Sequence, residues 1–262
     1  MRAVLFSALL LLAGQLPATA AADADQWQAA LADWQSVLTR RVDDQGRVDF
    51  AGAATDRAAL DRFVAFVGSH GPRATPEFFP GREAALAFHL NAYNALAMAG
   101  VLDAGIPQDF SSLLKRARFF KFRAVQVDGK KTSLYDYEKD VIRPLGEPRV
   151  HFALNCMVRA CPRLPREAFR VATLDAQLES AAREFFAKPL HLRVIDRDRE
   201  VRVSEILDFY TEDFAPSGRP QDLLPYINRY REVAVPLDFR VRYIPYDWTL
   251  NGQPALAPRP AR

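Results

Sequence analysis

Apolar residues recur at helical spacing between Asp25 and Arg41, where Trp27, Ala30, Leu31, Trp34 and Leu38 share one face. That stripe predicts an amphipathic helix. Asp43-Asp44-Gln45-Gly46 predicts a turn, and Arg47-Val48-Asp49-Phe50 a short extended piece. Leu60, Phe63, Val64, Phe66 and Val67 mark a second helix, stopped by Gly68 and the Gly71-Pro72 pair. The stretch from Arg82 to Leu102 is apolar on nearly every side, interrupted only by His89, Asn91, Tyr93 and Asn94. A helix without a polar face belongs inside a core, so this one is predicted to be central and buried.

Phe119 to Val127 and Lys130 to Thr132 flank Asp128-Gly129 and predict a hairpin with an Asp-Gly turn. Ser133 is a cap for a helix from Leu134 to Arg143, with Asp136 forming a weaker capping box. Leu174 to Phe186 predicts another helix, and His191 to Ile195 with Glu200 to Val203 a second hairpin. Ser204 caps a helix to Tyr210, Leu223 to Tyr230 is helical, and Phe239 to Ile244 is extended. No internal repeat or linker divides the pattern. The expected class is α+β: a single mainly helical domain with small antiparallel sheets around a central buried helix at about 82–102.

The first twenty residues change this picture. Arg2 precedes an apolar run from Ala3 to Ala13, and Ala18-Thr19-Ala20 offers small residues where a signal peptidase cleaves. Residues 1–20 are therefore expected to be a signal peptide cleaved after Ala20, giving a periplasmic or secreted protein with no transmembrane span after cleavage. Residues 251–262 read as a Pro-rich tail. The net charge of +3 comes without a basic block or aromatic-basic interleaving, so nucleic acid is not an expected partner. Two cysteines are too few for the usual structural zinc site, and no metal or cofactor is expected. There is no HExxH, GxSxG, glycine-rich phosphate loop or CxxC.

The two cysteines, Cys156 and Cys161, lie in one six-residue window. In an oxidising compartment they can close into a disulfide if a turn brings their Cα atoms within about 7 Å. Alternatively Cys156 is a thiolate nucleophile with His151 as base. On a strand or a helix, residues five apart point away from each other, so that pair can meet only if the chain turns near Asn155. His151 could equally be a core imidazole bonded to a carbonyl. Glu138 falls on the apolar stripe of its helix with Leu134, Tyr137 and Val141, and a carboxylate there needs a partner. Arg143, Arg149 and His151 are the candidates, for a structural ion pair or for a third triad member. Asn91 and Asn94 share a face of the central helix, and their amides must bond either loop backbone or a ligand. His70 and His191, at element ends, are expected to face solvent.

An ordered set of motifs resembles the DUF547 family, a domain of unknown function. The set comprises Arg47-Val-Asp-Phe50, Ala87-Phe-His-Leu-Asn-Ala-Tyr-Asn94, Ser133-Leu-Tyr-Asp-Tyr-Glu138, Ile142-Arg143, His151-Phe-Ala-Leu-Asn-Cys156 and Cys161-Pro162. Weaker similarity continues through Phe209-Tyr210 to Asp213-Phe214. The resemblance implies one DUF547-like domain over residues 21–250 and a site region, but no reaction. Two functions follow as expectations. One is a cysteine-dependent hydrolase or acyltransferase acting on peptide or amide substrates, with Cys156, His151 and Glu138 catalytic and Asn91, Tyr93 and Asn94 binding substrate. The other is a non-enzymatic cell-envelope interaction module, with Cys156–Cys161 as a structural disulfide and an envelope protein as partner.

Overall fold

The computed structural model describes residues 18–254, with side chains from residue 25 onward. The expected signal segment and tail fall largely outside these residues. Helix α1 (Ala18–Arg41) packs its Trp27, Leu31, Trp34 and Leu38 against α3 (Ala58–Ser69), after the short α2 (Phe50–Thr55). Trp34 stacks on Phe63 with ring centroids 5.7 Å apart. Helix α4 (Gly81–Asp103) follows, and every side chain from Ala84 to Leu102 is buried. By length and hydropathy α4 could cross a membrane, yet 94% of its most apolar window is buried within the protein. A helix apolar all round needs cover on all sides, and here its own chain supplies it.

Helix α5 (Leu113–Arg116) continues without a break into a π-helical turn, Ala117–Phe122. Only then does the first hairpin begin, pairing β1 (Ala124–Val127) with β2 (Lys130–Ser133) in antiparallel register. The expected strand at Phe119 is therefore helical up to Phe122. Phe119 packs into an aromatic cluster with Phe110 and Phe120. The Asp-Gly turn forms as expected: Asp128 and Gly129 both have positive φ, 52° and 67°. The Asp128 carboxylate holds the turn by accepting from the backbone N–H groups of Arg73 and Ala74.

The Ser133 hydroxyl caps α6 (Leu134–Tyr137) by accepting from the Asp136 N–H at 3.0 Å. The helix then widens into a π turn over Glu138–Ile142. A wider turn shifts the inward position by one residue. Ile142, five after Tyr137, is consequently fully buried, and the predicted Val141 lies half out.

The second half of the chain builds a smaller core. Helix α7 (Leu174–Ala187) leads to β3 (Leu192–Ile195) and β4 (Glu200–Ser204), which pair antiparallel as expected. Helices α8 (Ile206–Phe209), α9 (Thr211–Phe214) and α10 (Leu223–Asn228) follow. Strand β5 (Arg240–Ile244) then adds to β4 in parallel, so this sheet is mixed and not purely antiparallel. The parallel pairing is possible because the long excursion through α8 to α10 returns the chain to the same end of the sheet. Phe152, Phe186, Val201, Val203, Leu207 and Leu224 fill this core. Val150 and Ala153, on either side of Phe152, belong to the α4 core, and Tyr246 packs against both. The segment carrying His151 is thus the seam between two cores.

His191 is a correction to the solvent-facing expectation. It is 2% exposed and stacks on Phe185 at 4.0 Å. Burial drives its pKa down to about 3. The sequence put it at an element end; the sheet folding over α7 buried it.

Candidate functional site

A cleft of about 580 Å³ opens over that seam. Its floor contains Tyr93 of α4, Glu138, His151 and Cys156, and Tyr210 closes one side. Aromatic walls are supplied by Phe120, Phe209, Tyr246 and Trp248, while Arg116, Lys121, Lys139 and Arg143 bring positive charge. Largely apolar walls with a few convergent polar groups are the usual makeup of a small-molecule or peptide site.

The polar floor is a chain of contacts. Glu138, at the first residue of the π turn, accepts from the Tyr93 hydroxyl at 3.2 Å. Its other oxygen lies 3.9 Å from His151 Nδ1. The opposite ring nitrogen, Nε2, is 2.7 Å from the Asp213 carboxylate. Asp213 in turn accepts a two-pronged hydrogen bond from Arg143, 2.8 Å on each arm. The His151 ring is clamped by Tyr210, stacked at 4.0 Å, and by the edge of Phe214. Arg143 also lies over the Tyr210 ring at 5.2 Å.

Electrostatics fix the protonation of the surrounding groups. Burial by itself would raise the Asp213 pKa, but the Arg143 fork and the bond to His151 outweigh it and hold the carboxyl well below its usual range. Asp213 accepts from the Nε2–H of His151, which leaves Nδ1 turned toward Glu138. Tyr93 and Tyr210 have their pKa raised, first by burial and then by the Glu138 charge. Both phenols therefore stay protonated and act as donors. The floor thus offers a carboxylate and an imidazole nitrogen facing one gap, framed by hydroxyl donors.

Cys156 and Cys161 are joined in a disulfide, with Cα atoms 6.2 Å apart, and no cysteine is free. The chain does turn between His151 and Cys156, at Ala153 where the helical turn Pro148–Phe152 ends, and Asn155 braces the loop that follows. Its amide donates to the Pro162 carbonyl at 2.6 Å and its Oδ1 accepts from the Met157 N–H at 2.8 Å. That second bond holds Met157 at a left-handed φ of 67°, which a non-glycine residue rarely adopts. His151 and Cys156 consequently both line the cleft, but no hydrogen bond joins them. The Tyr246 hydroxyl is what reaches the sulfurs, at 3.4 and 3.2 Å.

Of the predicted site residues, the structure brings together Glu138, His151, Tyr93 and Cys156. Asn91 and Asn94 lie outside the cleft lining. Asn91 donates to the Phe169 carbonyl and accepts from the Phe169 N–H. Asn94 donates to the Ala153 carbonyl at 3.0 Å and accepts from the Asn155 N–H at 2.7 Å. Both are buried, neither lines the cleft, and their amides bond loop backbone. His89 bonds Tyr137 at 2.7 Å.

Arg149, a candidate partner for Glu138, instead pairs with Glu147 and Asp175. Neither Asp213 nor Tyr246 is marked as a site residue by any motif or periodicity. Asp213 stood in the weaker part of the family resemblance, beside Phe214, and that was its only signal. Among the described residues no cluster of three or more His, Cys, Asp or Glu is placed to hold a metal ion.

No curated protein and no solved structure matches the chain. Residues 77–186 match the family model described as "Protein of unknown function, DUF547", a span that includes Glu138, His151 and both cysteines but stops before Asp213. The family that this segment matches is the one the chain's motifs resemble.

Proposed function

We propose that the cleft is the active site of an exported hydrolase or acyltransferase for peptide or amide substrates, with Glu138 and His151 as its proton-handling pair. The observation that carries this reading is the Arg143–Asp213–His151 chain ending at Nδ1 opposite Glu138. A carboxylate behind an imidazole fixes its tautomer and supports the imidazolium that forms when it takes a proton. His151 would abstract a proton from the attacking group, and the phenols of Tyr93 and Tyr210 would donate to developing negative charge. Export is part of the proposal, drawn from residues 1–20, and the disulfide fits an oxidising compartment.

The disulfide divides the reading in two. While it is closed, Cys156 has no thiolate to offer, and the nucleophile is an activated water or an acceptor hydroxyl. Once it is reduced, Cys156 lies in the same cleft as His151 and Glu138, and the Cys-His-Glu arrangement becomes available. The closed bond also favours a second reading, a non-enzymatic envelope-binding module stapled at Cys156–Cys161.

A panel of peptide, amide and ester substrates, assayed with and without dithiothreitol, separates these. Turnover by the oxidised protein that is lost in Glu138→Gln and His151→Gln supports the acid–base pair. Turnover that requires reductant and disappears in Cys156→Ser assigns the nucleophile to the thiol. Turnover under neither condition overturns the enzymatic reading and leaves the binding module.

A further inference from the structure

The cleft has a rim whose chemistry its floor does not require. The continuous helical segment Leu113–Phe122 forms one wall of the cleft mouth and turns a ridge outward. Leu113, Leu114 and Phe122 are 77%, 74% and 74% exposed. Two further exposed large apolar side chains, Tyr135 and Phe209, flank the same mouth. Single exposed apolar residues are ordinary on a soluble protein, but a cluster on one edge marks an interaction surface.

The charge of the helical segment is one-sided. Between Leu113 and Arg123 there are five basic residues and no acidic one. Asp109 and Asp103, from outside the segment, pair with Lys115 and Arg123. Arg116 and Lys121 lie over the rings of Trp248 and Tyr135, contacts that leave their positive charge uncancelled. Arg118 is exposed and makes no ion pair among the described residues.

We infer that Leu113–Phe122 is an interfacial anchor that seats the cleft mouth on an anionic phospholipid bilayer. Leucine and phenylalanine side chains recover the apolar burial they lack in water by entering the acyl boundary. Lysine and arginine stems lie along that boundary while their heads meet lipid phosphates. The occupant is identified by charge complementarity, since basic heads beside exposed leucine and phenylalanine match anionic headgroups over an apolar interior. This inference is independent of the acid–base reading, since it uses none of Glu138, His151 or Asp213.

Sedimentation of the processed protein with vesicles is the test. One set is phosphatidylcholine alone and the other contains phosphatidylglycerol as well. Binding to the anionic vesicles should exceed binding to the neutral ones by about tenfold or more and weaken as salt is raised. Leu114→Asp combined with Phe122→Asp, or Arg118→Glu combined with Lys121→Glu, should reduce anionic-vesicle binding at least about tenfold. All four side chains are exposed, and unchanged circular dichroism would confirm that the variants fold. Equal binding to both vesicle types, no binding to either, or wild-type binding by both variants would each overturn the inference.

Discussion

Replacing Asn94 by alanine tests how the central helix positions the site. In the folded protein its amide makes two bonds to the loop that carries His151 and Cys156, one to the Ala153 carbonyl and one from the Asn155 N–H. Asn94 is 1% exposed and Asn155 0%, so water cannot replace these bonds without opening the loop. Each buried backbone group left unsatisfied costs about 1–3 kcal/mol, giving about 3 kcal/mol for the pair after partial relaxation. For a chain of this size that corresponds to a melting temperature lower by about 6–12 °C.

Asn94→Asp separates the two bonds. Aspartate can still accept from Asn155, but it has no proton for Ala153 and carries charge into a buried site, so it should destabilise at least as much. Differential scanning calorimetry measures both variants, and hydrogen exchange at the Asn155 amide should speed up in each. A melting temperature for Asn94→Ala within about 2 °C of the parent would refute the loop-fixing assignment. A loss of ligand affinity at that unchanged stability would return Asn94 to substrate binding.

Other perturbations follow from the same contacts. Leu90, fully buried in α4, should not accept an aspartate: Leu90→Asp should cost several kcal/mol, about 3–5, and an unchanged melting curve would displace α4 from the core. Opening the six-residue disulfide loop by Cys161→Ser should cost about 2 kcal/mol by loop entropy, read by urea denaturation against the oxidised parent. Mass spectrometry of the native protein should show both thiols absent until reductant is added.

Burial depresses the His89 and His191 pKa values to about 4 and about 3. Below the unfolded value of about 6.5 the unfolded chain binds protons first, so these two residues make stability fall as pH drops from about 6.5 to about 3. In His191→Phe that slope should flatten, and an unaltered pH profile would contradict its burial. Asp213, with its pKa depressed, contributes stability above the unfolded carboxylate value of about 3.9 that is lost as pH falls further. The stability gap between parent and Asp213→Asn should therefore be wider at neutral pH than in strong acid.

What the sequence determined by itself were the features set by local rules. The all-round apolar pattern of residues 82–102 required a buried helix, and α4 is that helix. Asp128-Gly129 required a two-residue turn with positive φ, and the hairpin has it. Five-residue spacing required a bend between His151 and Cys156, and the end of the helical turn at Ala153 provides it. The two-cysteine window posed the choice between staple and nucleophile in local terms.

What only the tertiary structure decided were contacts between residues far apart in the chain. Asp213 reaches His151 across 62 positions, and Tyr246 reaches the disulfide across 85 to 90. No periodicity encodes such pairs, because they depend on how two separately filled cores meet along the Val150–Ala153 seam. The π turn at Glu138 shows the same limit on a smaller scale. A 3.6-residue period places Val141 inward; the wider turn buries Ile142 there instead, while Glu138, still within the reach of α6, keeps the inward direction its stripe predicts.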